Sequence, residues 1–218
     1  LWLAGRSTPA LSLRGTGVPA IDGDRLVSGF DNGRLAAFSL ARGSVYWEQP
    51  LAVGTGRSEL ERMVDVDGSI VVADGVVYAA AYQGRVAALT LTEGRLLWAR
   101  DMSSYRGLSV DAERVYVTDA FGHVWALDRR NGGTLWQQDK LRLRGTTVPT
   151  PVGGQVVVGD YEGWLHWLAV GDGSFVARVR ADSAGVSAAP IAGADGGIHV
   201  LGNGGVLSAY GPPVPTRE

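Results

Sequence analysis

One motif, returning four times at intervals of about forty residues, constrains this chain more than any other feature. It reads Gly-x-(Val/Leu)-x-Ala-(Leu/Phe), with a second Gly ten residues after the first and a Trp four residues later. Gly33 opens one copy, with Gly43 and Trp47; Gly84 opens another, with Gly94 and Trp98; Gly122 opens a third, with Gly132 and Trp136. A fourth copy starts at Gly163 and has Gly173, but carries Ala177 where Trp is expected. A partial fifth runs from Gly205 to Tyr210. The leading glycines stand 51, 38, 41 and 42 residues apart. Trp2 reads as the closing residue of a preceding unit.

A β-rich run precedes each leading Gly, over 25–30, 76–82, 114–120, 155–161 and 198–203. Asp31-Asn32-Gly33, Gln83-Gly84 and Glu162-Gly163 then supply hairpin turns, where Gly or Asn takes positive φ readily. A second strand follows, the second Gly turns the chain again, and a final strand carries the Trp. Apolar residues on both strand faces suit sheets packed between two neighbours. The small Ala is expected to let sheets approach, and the Trp to fill the gap. The period is that of a propeller blade. The expected fold is therefore all-β, a β-propeller of four-stranded antiparallel blades over 11–50, 68–101, 106–140, 145–181 and 185–211, as one portion spanning residues 1–218.

Composition narrows the function classes. Hydrophobic residues make up 45% and charged residues 19%, a globular balance. The formal charge of −2 gives no basic face for nucleic acid. The longest apolar runs, such as 76–82, are too short to span a bilayer. The chain has 32 Gly, placed at turns, and no Cys, which excludes disulfides and thiolate metal sites. It opens at Leu1-Trp2-Leu3 without a start Met, which reads as a fragment or processed form with any targeting segment upstream. His123, His166 and His199 each lie in the strand pattern of their own unit and read as strand residues. Asp31, Asp74, Asp111, Asp128, Asp160 and Asp172 read as turn residues that bond nearby backbone. No catalytic, metal or cofactor site is expected.

Two places break the repeat. The first spacing exceeds the others by about ten residues, and the excess lies between Trp47 and Ile70, giving an insertion over 48–69. Within it Ser58 and Glu61 form a capping-box pattern, so a helical turn over 59–63 is expected. Asp65 and Asp67 stand apart there from the turn carboxylates. The insertion reads either as a longer loop or as a recognition element. The second place is Leu11-Ser12-Leu13-Arg14, two apolar anchors ending in a charge. Leu141-Arg142-Leu143-Arg144 occupies a similar place later, so this pattern reads either as a hot spot or as a repeat feature.

These residues resemble the PQQ-like (quinoprotein-type) propeller repeat, and not the WD repeat. Within that group Leu11-Ser12-Leu13-Arg14-Gly15, Asp31-Asn32-Gly33, the 58–67 segment with its Asp-Val-Asp, and the 159–167 segment resemble the outer-membrane protein assembly factor BamB family across essentially the whole chain. The resemblance implies an eight-bladed propeller, of which about five blades are present here. It also implies a periplasmic lipoprotein of the β-barrel assembly (BAM) machinery, held at the outer membrane by an upstream lipidated Cys. The implied partner is the set of periplasmic POTRA domains of BamA, bound through Leu11, Leu13, Arg14, Asp65 and Asp67, with unfolded outer-membrane proteins as further substrates. The rivals are a quinoprotein dehydrogenase, which needs carboxylate Ca²⁺ ligands and commonly a vicinal Cys pair, and a generic periplasmic interaction propeller.

Overall fold

The computed structural model describes residues 1–4, 17–54, 64–66 and 68–212. Every regular element among them is a strand. The chain forms two compact units, Leu1–Leu108 with Arg129–Gly132, and Ser109–Asp128 with Gly133–Glu218.

The first unit holds two four-stranded antiparallel sheets. One is β1 (Ala20–Asp22), β2 (Arg25–Gly29), β3 (Arg34–Ser39) and β4 (Val45–Pro50), ordered β1-β2-β3-β4. The other is β5 (Val71–Ala73), β6 (Val76–Ala80), β7 (Arg85–Thr90) and β8 (Leu96–Asp101), ordered β5-β6-β7-β8. One buried cluster joins them, including Val27, Leu35, Ala37, Trp47, Val66, Val77, Ala87 and Leu89.

The second unit carries β9 (Leu108–Val110) from its second residue on, β10 (Arg114–Thr118), β11 (Val124–Asp128) and β12 (Thr134–Gln138), then β13 (Thr150–Val152), β14 (Gln155–Gly159), β15 (Trp164–Ala169) and β16 (Phe175–Arg180). Its last sheet is β17 (Ile191–Ala192), β18 (Ile198–Leu201) and β19 (Leu207–Tyr210). That sheet has three strands among the described residues, one fewer than the repeat leads one to expect.

In the first four sheets the second and third strands are largely buried on both faces, as in β7, where Val86, Ala87, Ala88 and Leu89 are all buried, whereas β18 alternates buried and exposed residues and β19 has none buried. The fourth strands differ from expectation. In β4, β8 and β12 the neighbours of the buried Trp are mostly exposed, so these strands bury one face only. The register gives the repeated Ala its reason. Ala37, Ala88 and Ala126 lie directly opposite Trp47, Trp98 and Trp136, each beside a β-bulge. In the fourth sheet the pair is exchanged: Trp167 lies opposite Ala177. A large ring and a methyl group share each site, and only the strand that supplies the ring has changed.

Each Trp also reaches forward. The indole Nε1 of Trp47 donates to the Leu91 carbonyl at 2.9 Å, that of Trp98 to Arg129 at 2.9 Å, and that of Trp136 to Val170 at 2.8 Å. Trp2 does the same to Leu40 at 2.9 Å. Each acceptor stands three residues before the second Gly of the following copy. The ring then lies against that Gly, at φ +66° for Gly94, where an added Cβ would sit 2.5 Å from Trp47. Both the backbone conformation and the ring exclude other residues there.

Candidate partner-binding segments

Of the residues singled out for recognition, Leu11, Leu13, Arg14 and Asp67 lie outside the described residues, as do Ser58, Glu61 and the helical turn expected over 59–63. Asp65 is described. Its carbonyl accepts from the Tyr82 amide at 2.8 Å in an antiparallel bridge, and its side chain is wholly buried between the buried Val64 and Val66. Asp65 was expected to present charge to a partner; here its carboxylate is turned into the chain.

The repeat register brackets the insertion. Leu51 and Ala52 donate to the Gly33 carbonyl, as Ala181 and Asp182 donate to that of Gly163. Val66 packs on Gly29, as Val186 packs on Gly159. Ala52 and Val66 therefore match Asp182 and Val186, and the additional ten residues lie between the first pair.

Register also relates the two segments. Arg14, Asp65 and Arg144 each stand nineteen residues before a leading Gly: Gly33, Gly84 and Gly163. Asp65 accepts from Tyr82, and Arg144 from Tyr161 at 3.0 Å, two residues before Gly84 and Gly163. The described copy of the Leu-x-Leu-Arg pattern, 141–144, sends its two leucines to different surroundings. Leu141 is buried in the cluster with Tyr116, Trp136 and Leu168. Leu143 takes φ +60° and leaves its side chain 65% exposed. A branched side chain in that region carries strain of about 1–2 kcal/mol. Arg144 turns back, with Nε 2.6 Å from Asp160 and Nη2 2.6 Å from Glu162.

Asp160 is the hub of this arrangement. Its Oδ1 accepts from the amides of Glu162 and Trp164, both at 3.0 Å, closing the hairpin turn. Its Oδ2 meets Arg144 Nε and His166 Nε2, the latter at 2.9 Å. Burial pushes its pKa up, but the bonds from His166, the Trp164 amide and Arg144 outweigh this and hold it below the usual aspartate value. Asp119 repeats the pattern one sheet earlier, taking the amides of Phe121 and His123 on one oxygen and the rings of His123 and Trp125 on the other. In the copies where this position is Phe30 or Ala81, the position six residues on is Ala36 or Ala87 and not Trp125 or His166. The aspartate and its ring donor are thus present together or absent together. In the last sheet the same position is Gly202, and Asp182 fills the space, accepting from the Gly204 amide at 2.9 Å.

A cleft of about 430 Å³ opens beside this hub, lined by Lys140, Leu141, Arg144, His166, Phe175 and Arg178 among others. The sequence pattern marks Asp160 as a turn residue and His166 as a strand residue. Both readings hold locally but omit their mutual bond, whose signal was the paired appearance of carboxylate and ring donor six residues apart. Among the described residues no group of three or more His, Asp or Glu converges as a metal site, and no helix is long and apolar enough to cross a membrane.

Comparison with known proteins gives a consistent family. A family model described as outer membrane protein assembly factor BamB matches residues 1–138 and 120–211. The outer membrane protein assembly factor BamB of Pseudomonas aeruginosa is 43% identical over 204 residues, covering 94% of this chain and 53% of that protein. That of Escherichia coli K12 is 40% identical, covering 91% of this chain and 50% of that protein. The chain thus spans about half the length of the curated relatives it matches. The crystal structure of BamB from Moraxella catarrhalis matches with a TM-score of 0.88 at 27% identity, covering 96% of this chain and 62% of that one. The five sheets are blades of a β-propeller of the PQQ-like repeat kind.

Proposed function

This chain belongs to the outer membrane protein assembly factor BamB family, and on that premise we propose that it is a non-catalytic scaffold of outer-membrane protein assembly that binds the periplasmic POTRA domains of BamA. The family match along nearly the whole chain carries the reading. Its repeat interior is filled by structural side chains, which leaves recognition to the irregular connections between blades. Leu11 and Leu13 bury apolar surface on the partner, while Arg14 and Asp67 supply charge complementarity and orientation. Asp65, buried and bridged to Tyr82, is a positioning residue that fixes the end of the insertion beside Asp67. Arg14 and Asp65 stand at equivalent points of successive repeats, nineteen residues before their leading glycines, which supports a shared surface. The protein works at the periplasmic face of the outer membrane, lipid-anchored through an upstream Cys, and aids folding and insertion of outer-membrane proteins there.

Co-purification of the full-length protein with the POTRA domains of BamA tests this. Leu13→Ala is expected to weaken binding by about 1–3 kcal/mol, as interface truncations do. Undiminished retention of both Leu13→Ala and an Asp65→Ala/Asp67→Ala double variant would reject the assignment.

A further inference from the structure

We propose that Gln83, on the turn between β6 and β7, is a further contact of the surface that meets the POTRA domains, offering its side-chain carboxamide to main-chain groups of the partner. The inference rests on the partner reading above and deepens it with a residue that reading does not include.

This turn departs from its four counterparts. In the other copies the leading Gly takes positive φ, at +76° for Gly33, +89° for Gly122, +87° for Gly163 and +82° for Gly205. Each also donates its amide, at 3.0 Å, to the carbonyl three residues back, on Phe30, Asp119, Asp160 and Gly202. Gly84 does neither. The positive φ falls on Gln83 instead, at +49°. The Ala81 carbonyl accepts from the Ser104 amide at 3.1 Å, and the Gln83 amide donates to Ser103 Oγ at 3.0 Å. The left-handed conformation has passed from a glycine, which adopts it readily, to a residue whose Cβ opposes it.

The position of the turn gives this exchange a meaning. A Cβ added at Gly84 would lie 2.6 Å from that of Ala52, where the chain leads into the insertion. The Tyr82 amide is held at 2.8 Å by the carbonyl of Asp65, where the insertion ends. Both ends of the insertion thus close on one turn, and Gln83 stands between the two residues they hold. Its side chain is exposed and forms no hydrogen bond among the described residues. It adds strain to the fold and little burial or bonding. Strained positions that the surrounding structure holds in place cluster at recognition sites. A carboxamide carries an acceptor oxygen and N–H donors, the complement of a peptide group. Beside it the half-buried rings of Tyr82 and Tyr105 meet edge to face at 6.4 Å, and the Arg106 guanidinium lies over Tyr105 at 5.2 Å. Gln83 is therefore flanked by a fixed aromatic pair of the kind that anchors interfaces. The occupant follows from continuity: Asp65, bonded to Tyr82, ends the insertion proposed to meet the partner, so a domain seated there covers Gln83 as well.

The test uses the full-length protein and the immobilised tandem POTRA domains of BamA, with the melting temperature of each variant measured alongside. Gln83→Gly removes the carboxamide and relieves the backbone, whereas Gln83→Ala removes it and keeps the strain. Both are expected to weaken binding about fivefold or more, as interface truncations do, although the Gly variant melts higher than the Ala variant. If Leu13→Ala weakens binding while both Gln83 variants bind as wild type does, Gln83 is no contact and the first surface stands. Weakening confined to Gln83→Ala would trace the effect to the backbone and likewise overturn the inference. If the wild type itself does not bind, the partner reading fails and this contact falls with it.

Discussion

The indole–glycine contact shows how much a single pair of residues decides. Trp47 fills the space over Gly94 and holds the Leu91 carbonyl, opposite the small Ala88-type partner of its own strand pair, Ala37. Trp47→Ala is expected to cost about 3–5 kcal/mol in denaturant unfolding. Gly94→Ala is expected to be destabilising by itself, through both its positive φ and the ring. In the Trp47→Ala background the ring is gone, so part of that cost disappears. A double-mutant cycle should give a coupling of about 1–3 kcal/mol. Purely additive effects would mean that the ring and the turn are independent. Asp160 carries a pH dependence of its own. Its folded pKa lies below its unfolded value, so its stabilisation is present above the ordinary aspartate range and fades as the pH falls through the folded value. Asp160→Asn is therefore expected to lower the melting temperature near neutral pH, and the gap to wild type should close below about pH 4. A gap that stays constant down to pH 2 would show that the charge contributes nothing. The repeat made the Trp, Ala and Gly positions legible, because each recurs at a fixed offset. The exchange of Trp167 for Ala177 was not, since cross-strand register is invisible until the bulge beside it is seen.

Elements divide by how they were readable. The long second and third strands follow from apolar runs bounded by turn residues. The first strands of the sheets, such as Ile191–Ala192 and Leu108–Val110, are two or three residues long, too short to show any period. The Leu141-Arg142-Leu143-Arg144 connection was seen as a pattern, but its alternation of one buried and one exposed leucine depends on the positive φ of Leu143. That alternation predicts opposite outcomes for two similar changes. Leu141→Ala is expected to cost about 2–5 kcal/mol, as for other buried leucines. Leu143→Gly should leave thermal unfolding within about 1 kcal/mol of wild type, because relief of strain offsets the added freedom of the unfolded chain. The insertion permits a test in the same spirit. Val64 falls in the register place of Gly54, so deleting residues 54–63 rejoins the connection at the length found in the fourth blade. Blade stability should change by less than about 1 kcal/mol, since loop length enters only logarithmically. Binding to the POTRA domains should fall. A collapse of the fold would place the ten residues in the core instead.

At the scale of the whole chain, the quinoprotein alternative shares the repeat and differs in chemistry. It needs carboxylate ligands for Ca²⁺ around a bound quinone. Three of the buried carboxylates, Asp119, Asp160 and Asp182, are each spent on turn amides, with ring or guanidinium donors joining the first two, and no group of three or more His, Asp or Glu converges among the described residues. Adding PQQ with Ca²⁺ is therefore expected to leave the melting temperature unchanged, whereas a ligand bound only by the folded state would raise it. A rise of several degrees would reopen the enzyme reading. The forward reach of each tryptophan bears on how such a chain is copied and recombined. A segment cut cleanly from one leading glycine to the next carries an indole whose seat belongs to the following segment, and a seat shaped for the indole before it. Duplicates fit in series only if both halves of this key and socket survive. The fourth copy has lost its key at Ala177, and the place where the fifth would hold the socket, ten residues past Gly205, is Pro215. Whatever is spliced after β16 is thereby released from the rule that binds every earlier junction.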